Sequence, residues 1–450
     1  MRFYTSRFDF ILPDVDLNRY ISLTNQSIFL SASYDSCIRV FSYQNPQEPL
    51  MTHKVPALAQ SSPQCLVDAR WIAADTAATA GLDGAVRVWS MPEVIFDPST
   101  ATDEAHGVSS SQSPRQVWLG THHPLLSSKA ATAFVSTKST SSSFNMSPVG
   151  LTSLDISADS ASLLTASRDG SIAYWKLDEV LKQAVGNVAA GDGGDADNDD
   201  EDAQHKRRKG ANGKKHISST AALSSKRPSA LFWHSPPVAS NTVGSTSGPS
   251  YVCATNARVS QAVFDPQDPT KAVSGGYDGK LIEWDLFAAT KDGNPKVSVR
   301  QTSDSRAILC VACPKQTAST GSARVVTGQM DRSICLWDLS SSSSSARVVM
   351  SNAHAGPVYS ASCHPNEAHL FATAGGDGSV KIWDARSHKR ALFALRTPSI
   401  RGKSSASGDQ KLLACEWDRF TAEDEASAEG KGHVLLAGGE DCTVNVFRQS

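Results

Sequence analysis

Seven times in this 450-residue chain a short run of small and β-branched residues meets a turn built on aspartate and continues into a second, alternating run. The turn aspartates are Asp35, Asp83, Asp169, Asp278, Asp331, Asp377 and Asp441. The clearest copy is HAGPVYSASCHPNEAHLFATAGGDGSVKIWD, residues 354–384. It runs as His-x-Gly, an alternating apolar strand, a Pro-Asn turn, a second strand of small residues, an Asp-Gly turn and a third strand ending in Trp-Asp. Asp377-Gly378 supplies the positive backbone angles of a tight hairpin. Ala372, Thr373, Ala374, Val380 and Ile382 suit strands buried on both faces. A single sheet of this kind cannot cover its own two faces, so the repeat calls for neighbours of the same kind.

The repeat resembles the blade of a WD-repeat protein, and the predicted fold is all-β: a seven-bladed WD40 β-propeller with long disordered loop insertions. The resemblance implies that His354, Thr373, Asp377 and Trp383 form a buried hydrogen-bonded chain, a structural device in which buried polar groups satisfy one another. Seven blades of roughly 40 to 45 residues take about 300 residues. The expected layout is an N-terminal segment over residues 1–20 and a propeller over 21–450, with disordered insertions at 91–147 and 181–250. The seventh blade, LLACEWD and then HVLLAGGEDCTVNVF, stops on its third strand. The opening residues MRFYTSRFDFI are the candidate closing strand, since a propeller removes its exposed edge by pairing its two ends.

Between blades the composition changes. Residues 91–147 are rich in Ser, Thr, Ala and Pro, with His122 as a candidate histidine for the third blade. Residues 181–250 pass from an acidic run, Asp192 to Asp202, into the basic cluster Lys206, Arg207, Arg208 and Lys209. Such a segment buries too little apolar area to offset its ordering entropy. The KRRK cluster is a candidate nuclear localisation signal, with contact to RNA phosphates or a plain solvated run as the alternatives. The serine run Ser340 to Ser345 reads as a flexible connector.

A net charge of -2 and a pI near 6.6 argue against a protein that coats bare nucleic acid. No apolar run approaches a membrane span, and MRFYTSRFDF lacks the pattern of a secretory signal. The nine cysteines are scattered and read as reduced core thiols; Cys310 and Cys313 lack a second pair at zinc-site spacing. His122 and His123 have no acidic or thiol partner at ligand spacing, and GGYDGK at 275–280 lies on a hairpin instead of a strand-to-helix turn. No metal, cofactor or catalytic site is expected.

The order of blades and insertions narrows the reading. An early VFS blade, an acidic loop running into KRRK, WDAR at Trp383 to Arg386, and a last blade reading KLLACEW then LLAGGEDCTVNVF resemble the Ytm family of ribosome-biogenesis proteins. That resemblance implies a non-catalytic scaffold in maturation of large-subunit rRNA (25S/28S and 5.8S) and assembly of the 60S subunit. Its implied partners are a block-of-proliferation-type WD protein, pescadillo and the pre-60S particle, in the nucleolus and nucleoplasm of the nucleus, with no membrane. Family members carry an N-terminal ubiquitin-like domain that binds the AAA ATPase midasin. Here MRFYT resembles only the opening of that domain, so the midasin contact is placed in doubt. A rival reading is a substrate receptor of a cullin-type ubiquitin ligase, because Asp377, Trp383, Asp384 and Arg386 resemble the box such receptors use. A generic propeller scaffold is the third.

Overall fold

The second strand of each repeat carries the densest run of small and branched residues, and in most of the blades it is buried from end to end. Ile28–Ser33, Ser162–Ser167, Leu370–Gly375 and Val434–Gly439 have no exposed position. Each lies between two strands of its own sheet and under the sheets on either side, which is why these runs show no polar alternation. The computed structural model describes residues 3–8, 18–23, 28–42, 48–56, 65–73, 75–92, 95, 113–122, 150–177, 226–234, 238–240, 250–252, 258–289, 295–314, 325–341, 343–396, 411–417, 433–440 and 444–449.

Seven four-stranded antiparallel sheets make up the fold. Blade one comprises Asn18–Leu23, Ile28–Ser33, Cys37–Ser42 and Met51–Lys54. Blade two comprises Leu66–Ala73, Thr76–Gly81, Ala85–Ser90 and Arg115–Thr121. Blade three comprises Leu151–Ile156, Ser162–Ser167, Ser171–Lys176 and Ala230–Trp233. Blade four comprises Val259–Asp265, Asp268–Gly276, Lys280–Asp285 and Lys296–Gln301. Blade five comprises Ile308–Ala312, Val325–Gln329, Ile334–Trp337 and Val348–Met350. Blade six comprises Val358–Cys363, Leu370–Gly375, Ser379–Asp384 and Phe393–Arg396. Blade seven takes Leu412–Trp417, Val434–Gly439 and Val444–Gln449 from one end of the chain and Phe3–Phe8 from the other.

The first strands pack side by side around a centre, and that of blade seven packs on that of blade one, so the ring is closed. The terminal strands pair antiparallel from Phe3 opposite Gln449 to Phe8 opposite Val444. Apolar side chains fill the seams. Leu30, Ile38 and Val40 of blade one meet Leu66, Trp71 and Trp89 of blade two. Phe29 and Phe41 of blade one, stacked with centroids 5.1 Å apart, meet Leu436 and Val446 of blade seven. At the hairpin between second and third strands the residue after the aspartate is left-handed: Gly84, Gly170, Gly279 and Gly378 have φ of 75°, 91°, 74° and 68°. Ser36 and Arg332 hold the same conformation in blades one and five, at φ of 70° and 75°.

Three boundaries differ from the sequence-based expectation. Blade one begins at Asn18, inside the segment 1–20. The range 91–147 contains the outer strand of blade two, and 181–250 contains the outer strand of blade three and a short ribbon pairing Val238–Ser240 with Ser250–Val252. Outer strands are covered on one edge only, so they carry fewer apolar residues and are hard to distinguish from a polar loop. The stretch before blade three's outer strand also lines the rim, where Lys226 bridges in parallel to Gly120 of blade two. The serine connector is likewise engaged: the carbonyls of Leu339 and Ser341 each accept a bond of 2.9 Å from Arg300. Asp441, His123 and Lys206 to Lys209 lie outside the described residues.

Candidate partner-binding face and central channel

The six described aspartate turns gather on one face of the ring, each tied to the interior by its own set of bonds. In blade six His354 Nδ1 lies 3.0 Å from Asp377 Oδ1, His354 Nε2 lies 2.8 Å from Thr373 Oγ1, and the Trp383 indole N–H donates to Thr373 Oγ1 at 2.9 Å. Burial acts to raise the Asp377 carboxyl, but the bonds from His354, Ser379 and the Ala355 amide outweigh it and hold the group below its usual range. Blade four repeats the chain through His234, 3.4 Å from Asp278 and 2.6 Å from Ser274, with Trp284 donating to Ser274 at 2.7 Å. In blade three the buried His122 sits 2.8 Å from both Thr165 Oγ1 and Ser171 Oγ, Ser171 reaches Asp169, and Trp175 donates to Thr165 at 3.1 Å.

Blades one and two have no histidine in this place. There the turn aspartate pairs with an arginine four residues on: Asp35 with Arg39, and Asp83 with Arg87. Trp89 still donates to Thr79 at 3.0 Å. In blade five Gln329 and Ser333 stand in, 2.7 Å apart, with Ser333 also bonded to Asp331. The Asp-x-x-x-Arg spacing was present in the sequence and would have exposed the first two pairs. His234 carried no such signal, because it follows a long polar stretch.

The same face carries a second repeated bond, in which the residue after the second strand donates its N–H to the carbonyl of the residue before the first. Leu82 donates to Cys65, Arg168 to Gly150, Tyr277 to Arg258, Met330 to Ala307, Gly376 to Pro357 and Glu440 to Lys411, all at 2.8 to 3.0 Å. These residues border the centre of the ring, and two of them, Arg258 and Tyr277, line a central cavity of about 270 Å³. The surface they present is mixed: Met330 is exposed and apolar, Lys411 pairs with Glu440 at 2.9 Å, and Arg258 stacks on Tyr277 at 4.6 Å.

Inside the channel, side chains of one blade bind the backbone of the next. Asp68 accepts from the Leu154 amide, Asp155 from Phe264, Gln261 from Val311, and Ser362 from Trp417, at 2.8 to 3.1 Å. Arg70 of blade two reaches past blade one to Glu416 of blade seven, with Nη1 at 2.8 Å from both carboxylate oxygens. Burial pushes the Asp68 carboxyl up to about 7, against the opposing pull of Arg70 and the Leu154 amide. The channel thiols Cys363 and Cys415 are pushed by burial to about 12 and stay protonated. A protonated, buried thiol is a poor nucleophile and a poor metal ligand, and among the described residues no cluster of His, Cys, Asp and Glu fits a metal ion.

Arg386, the distinguishing residue of the WDAR segment, is exposed and held by Asp384, with Nη2 at 2.8 Å and Nε at 3.1 Å. On the outer wall, Phe287, Val297 and Val299 of blade four, Val349 of blade five and Leu392 of blade six are exposed apolar residues.

The WD domain, G-beta repeat family model matches residues 140–176 and 346–384, in blades three and six. The chain is 24% identical over 443 residues to "Ribosome biogenesis protein YTM1" of Podospora anserina, covering 94% of this chain and 71% of that protein. It is 25% identical over 441 residues to the protein of the same name from Pyricularia oryzae, again 94% and 71%. A shorter match, 29% over 177 residues, joins it to "Ribosome biogenesis protein WDR12 homolog" of Chlamydomonas reinhardtii, over 39% of this chain and 33% of that one. Seven closed blades, two of them fitting the repeat model, and similarity along nearly the whole chain make this a WD-repeat propeller that resembles the Ytm-type ribosome biogenesis proteins.

Proposed function

We propose that the chain is a non-catalytic docking scaffold in ribosome biogenesis, acting in maturation of the large subunit and its rRNAs. The observation that carries this reading is the similarity over 443 residues to a ribosome biogenesis protein, which runs through all seven blades. The fold supports it physically: a closed ring with blades bonded across the channel presents broad preformed surfaces, and docking onto such a surface needs little rearrangement. On this reading the partners are a block-of-proliferation-type WD protein and pescadillo on the pre-60S particle, the site of action is the nucleolus and nucleoplasm, and Lys206 to Lys209 bring the protein into the nucleus. Midasin joins this set only for a chain that carries the family's ubiquitin-like domain.

Affinity purification of the tagged chain from nuclei, with gradient sedimentation, tests this. Cofractionation with large-subunit precursors, pescadillo and its WD partner is the expected outcome, and slow sedimentation free of particles sinks it. The rigid presentation of Arg386 on Asp384 favours one competing outcome, recovery of a cullin adaptor in place of pre-ribosomal factors. Replacing Lys206, Arg207, Arg208 and Lys209 by Ala is expected to leave a fluorescent fusion in the cytoplasm.

A further inference from the structure

Among the charged groups that the described residues place in the channel, Arg258 has no carboxylate paired with it. Arg70 is answered by Glu416, and Asp155 accepts a backbone amide. Arg258 sits immediately before the first strand of blade four, its carbonyl fixed by the Tyr277 N–H at 2.9 Å. Its guanidinium lies over the Tyr277 ring, 4.6 Å from the centroid, and both residues line the cavity. The Arg258 Nε is buried and has no hydrogen-bond partner. Buried N–H groups of a cation are normally bonded, and one that is not calls for an explanation. A guanidinium whose face is taken by an aromatic ring meets its acceptor through its edge, as a fixed two-pronged fork.

We propose that this mouth of the channel receives one acidic side chain from a short, otherwise apolar peptide segment of a protein partner, with Arg258 gripping the carboxylate. The charges along the cavity favour this occupant over a nucleic-acid strand. Arg70 and Arg258 are balanced by Asp155 and Glu416, so a polyanion gains no net attraction, whereas one carboxylate matches the Arg258 fork. The remaining lining is apolar or neutral, with Leu309, Val311, Leu413 and the protonated thiols of Cys363 and Cys415. It suits aliphatic neighbours of the acidic residue. The inference names the chemistry of one docking segment and does not depend on which particle the chain joins.

The experiment uses the purified full chain and dye-labelled, end-blocked peptides of leucine, alanine and serine that carry one central glutamate, each paired with its glutamine twin. Fluorescence anisotropy is expected to show the glutamate peptide binding about tenfold to a hundredfold more tightly than its twin, the range of a charge-assisted bond. Arg258→Gln removes that preference. Arg258→Lys keeps the charge but loses the fork, and so retains only part of it. Melting curves check that both variants stay folded, and the comparison of twins on the unaltered chain stands even where a variant does not. Equal affinity for the twins, or no binding up to millimolar peptide, overturns the proposal. Binding of oligouridylate that Arg258→Gln abolishes, with no glutamate preference, overturns it in favour of a phosphate ligand.

Discussion

In blade two the buried carboxylate of Asp83 is held by Arg87, four residues along the same hairpin, whereas in blade six that of Asp377 is held by His354, which arrives from the connection before the first strand. The arginine device is local and closes with the hairpin itself. The histidine device reaches across the blade: the His354 ring touches the turn and Thr373 on the second strand, and its backbone N–H donates to the carbonyl of Arg332 at blade five's turn, 3.3 Å away. Blade one follows blade two, and blades three and four follow blade six. One side of the ring therefore secures its turns within hairpins, and the other uses them to bind each blade to the preceding connection.

The two devices fail differently. Arg87→Ala leaves a carboxylate buried with its cation gone, a change that costs about 3–5 kcal/mol, and it is expected to be the most damaging of these substitutions in a thermal melt. Asp83→Asn in the same chain should recover much of the loss, and a double-mutant cycle showing no coupling would mean the pair is not the anchor. His354→Ala removes the bridge but leaves Asp377 with the Ala355 and Ser379 amides at 2.8 and 3.1 Å. Its cost should be about 2 kcal/mol in the same thermal melt, and an equal loss for the two substitutions would break the comparison.

Acid separates the regions further. Asp377 has its folded pKa below the usual 3.8, so its stabilising contribution is complete above about pH 4 and is lost as the pH falls through the folded value. Asp68 on the inner strand of blade two runs the other way. With a folded pKa of about 7 against 3.8, the folded chain holds more protons than the unfolded between those values, and its contribution falls as pH rises from about 4 to 7. Relative to the parent chain, Asp377→Asn should therefore show a deficit in melting temperature that shrinks below about pH 4. Asp68→Asn should instead improve steadily between pH 5 and 8. Parallel curves for both variants would break the contrast.

What the sequence shows of this contrast follows from distance along the chain. The turn aspartates and Trp89, Trp175, Trp284, Trp337 and Trp383 are spaced by one hairpin, so the repeat displays them. His354 stands nineteen residues from Thr373, and the unbroken HAGPVYS segment lets it be read. His234, forty residues from Ser274 and preceded by a polar stretch, leaves no comparable trace. Arg70 and Glu416 are 346 residues apart and meet only because the ring closes, so no local pattern reports them. The outer strands of blades two and three were hidden because their exposed edge relaxes the demand for apolar residues, although RQVWLGT does carry its alternation.

The smallest expected effect tests whether the devices are interchangeable. Blade six has Lys381 at the place of Arg39 and Arg87, four residues after its turn aspartate, with Nζ 4.0 Å from Asp377 Oδ2 and donating to the Ala353 carbonyl at 2.6 Å. A guanidinium there can reach the carboxylate with two parallel bonds, as Arg87 does with Asp83, where an ammonium on that stem offers a point charge shared with a carbonyl. In the parent chain Lys381→Arg should change little, because His354 already occupies the carboxylate. In the His354→Ala background the fork has an acceptor to fill, and Lys381→Arg should restore about 1 kcal/mol. No recovery in that background would mean that the hairpin geometries of blades two and six differ more than their turns suggest.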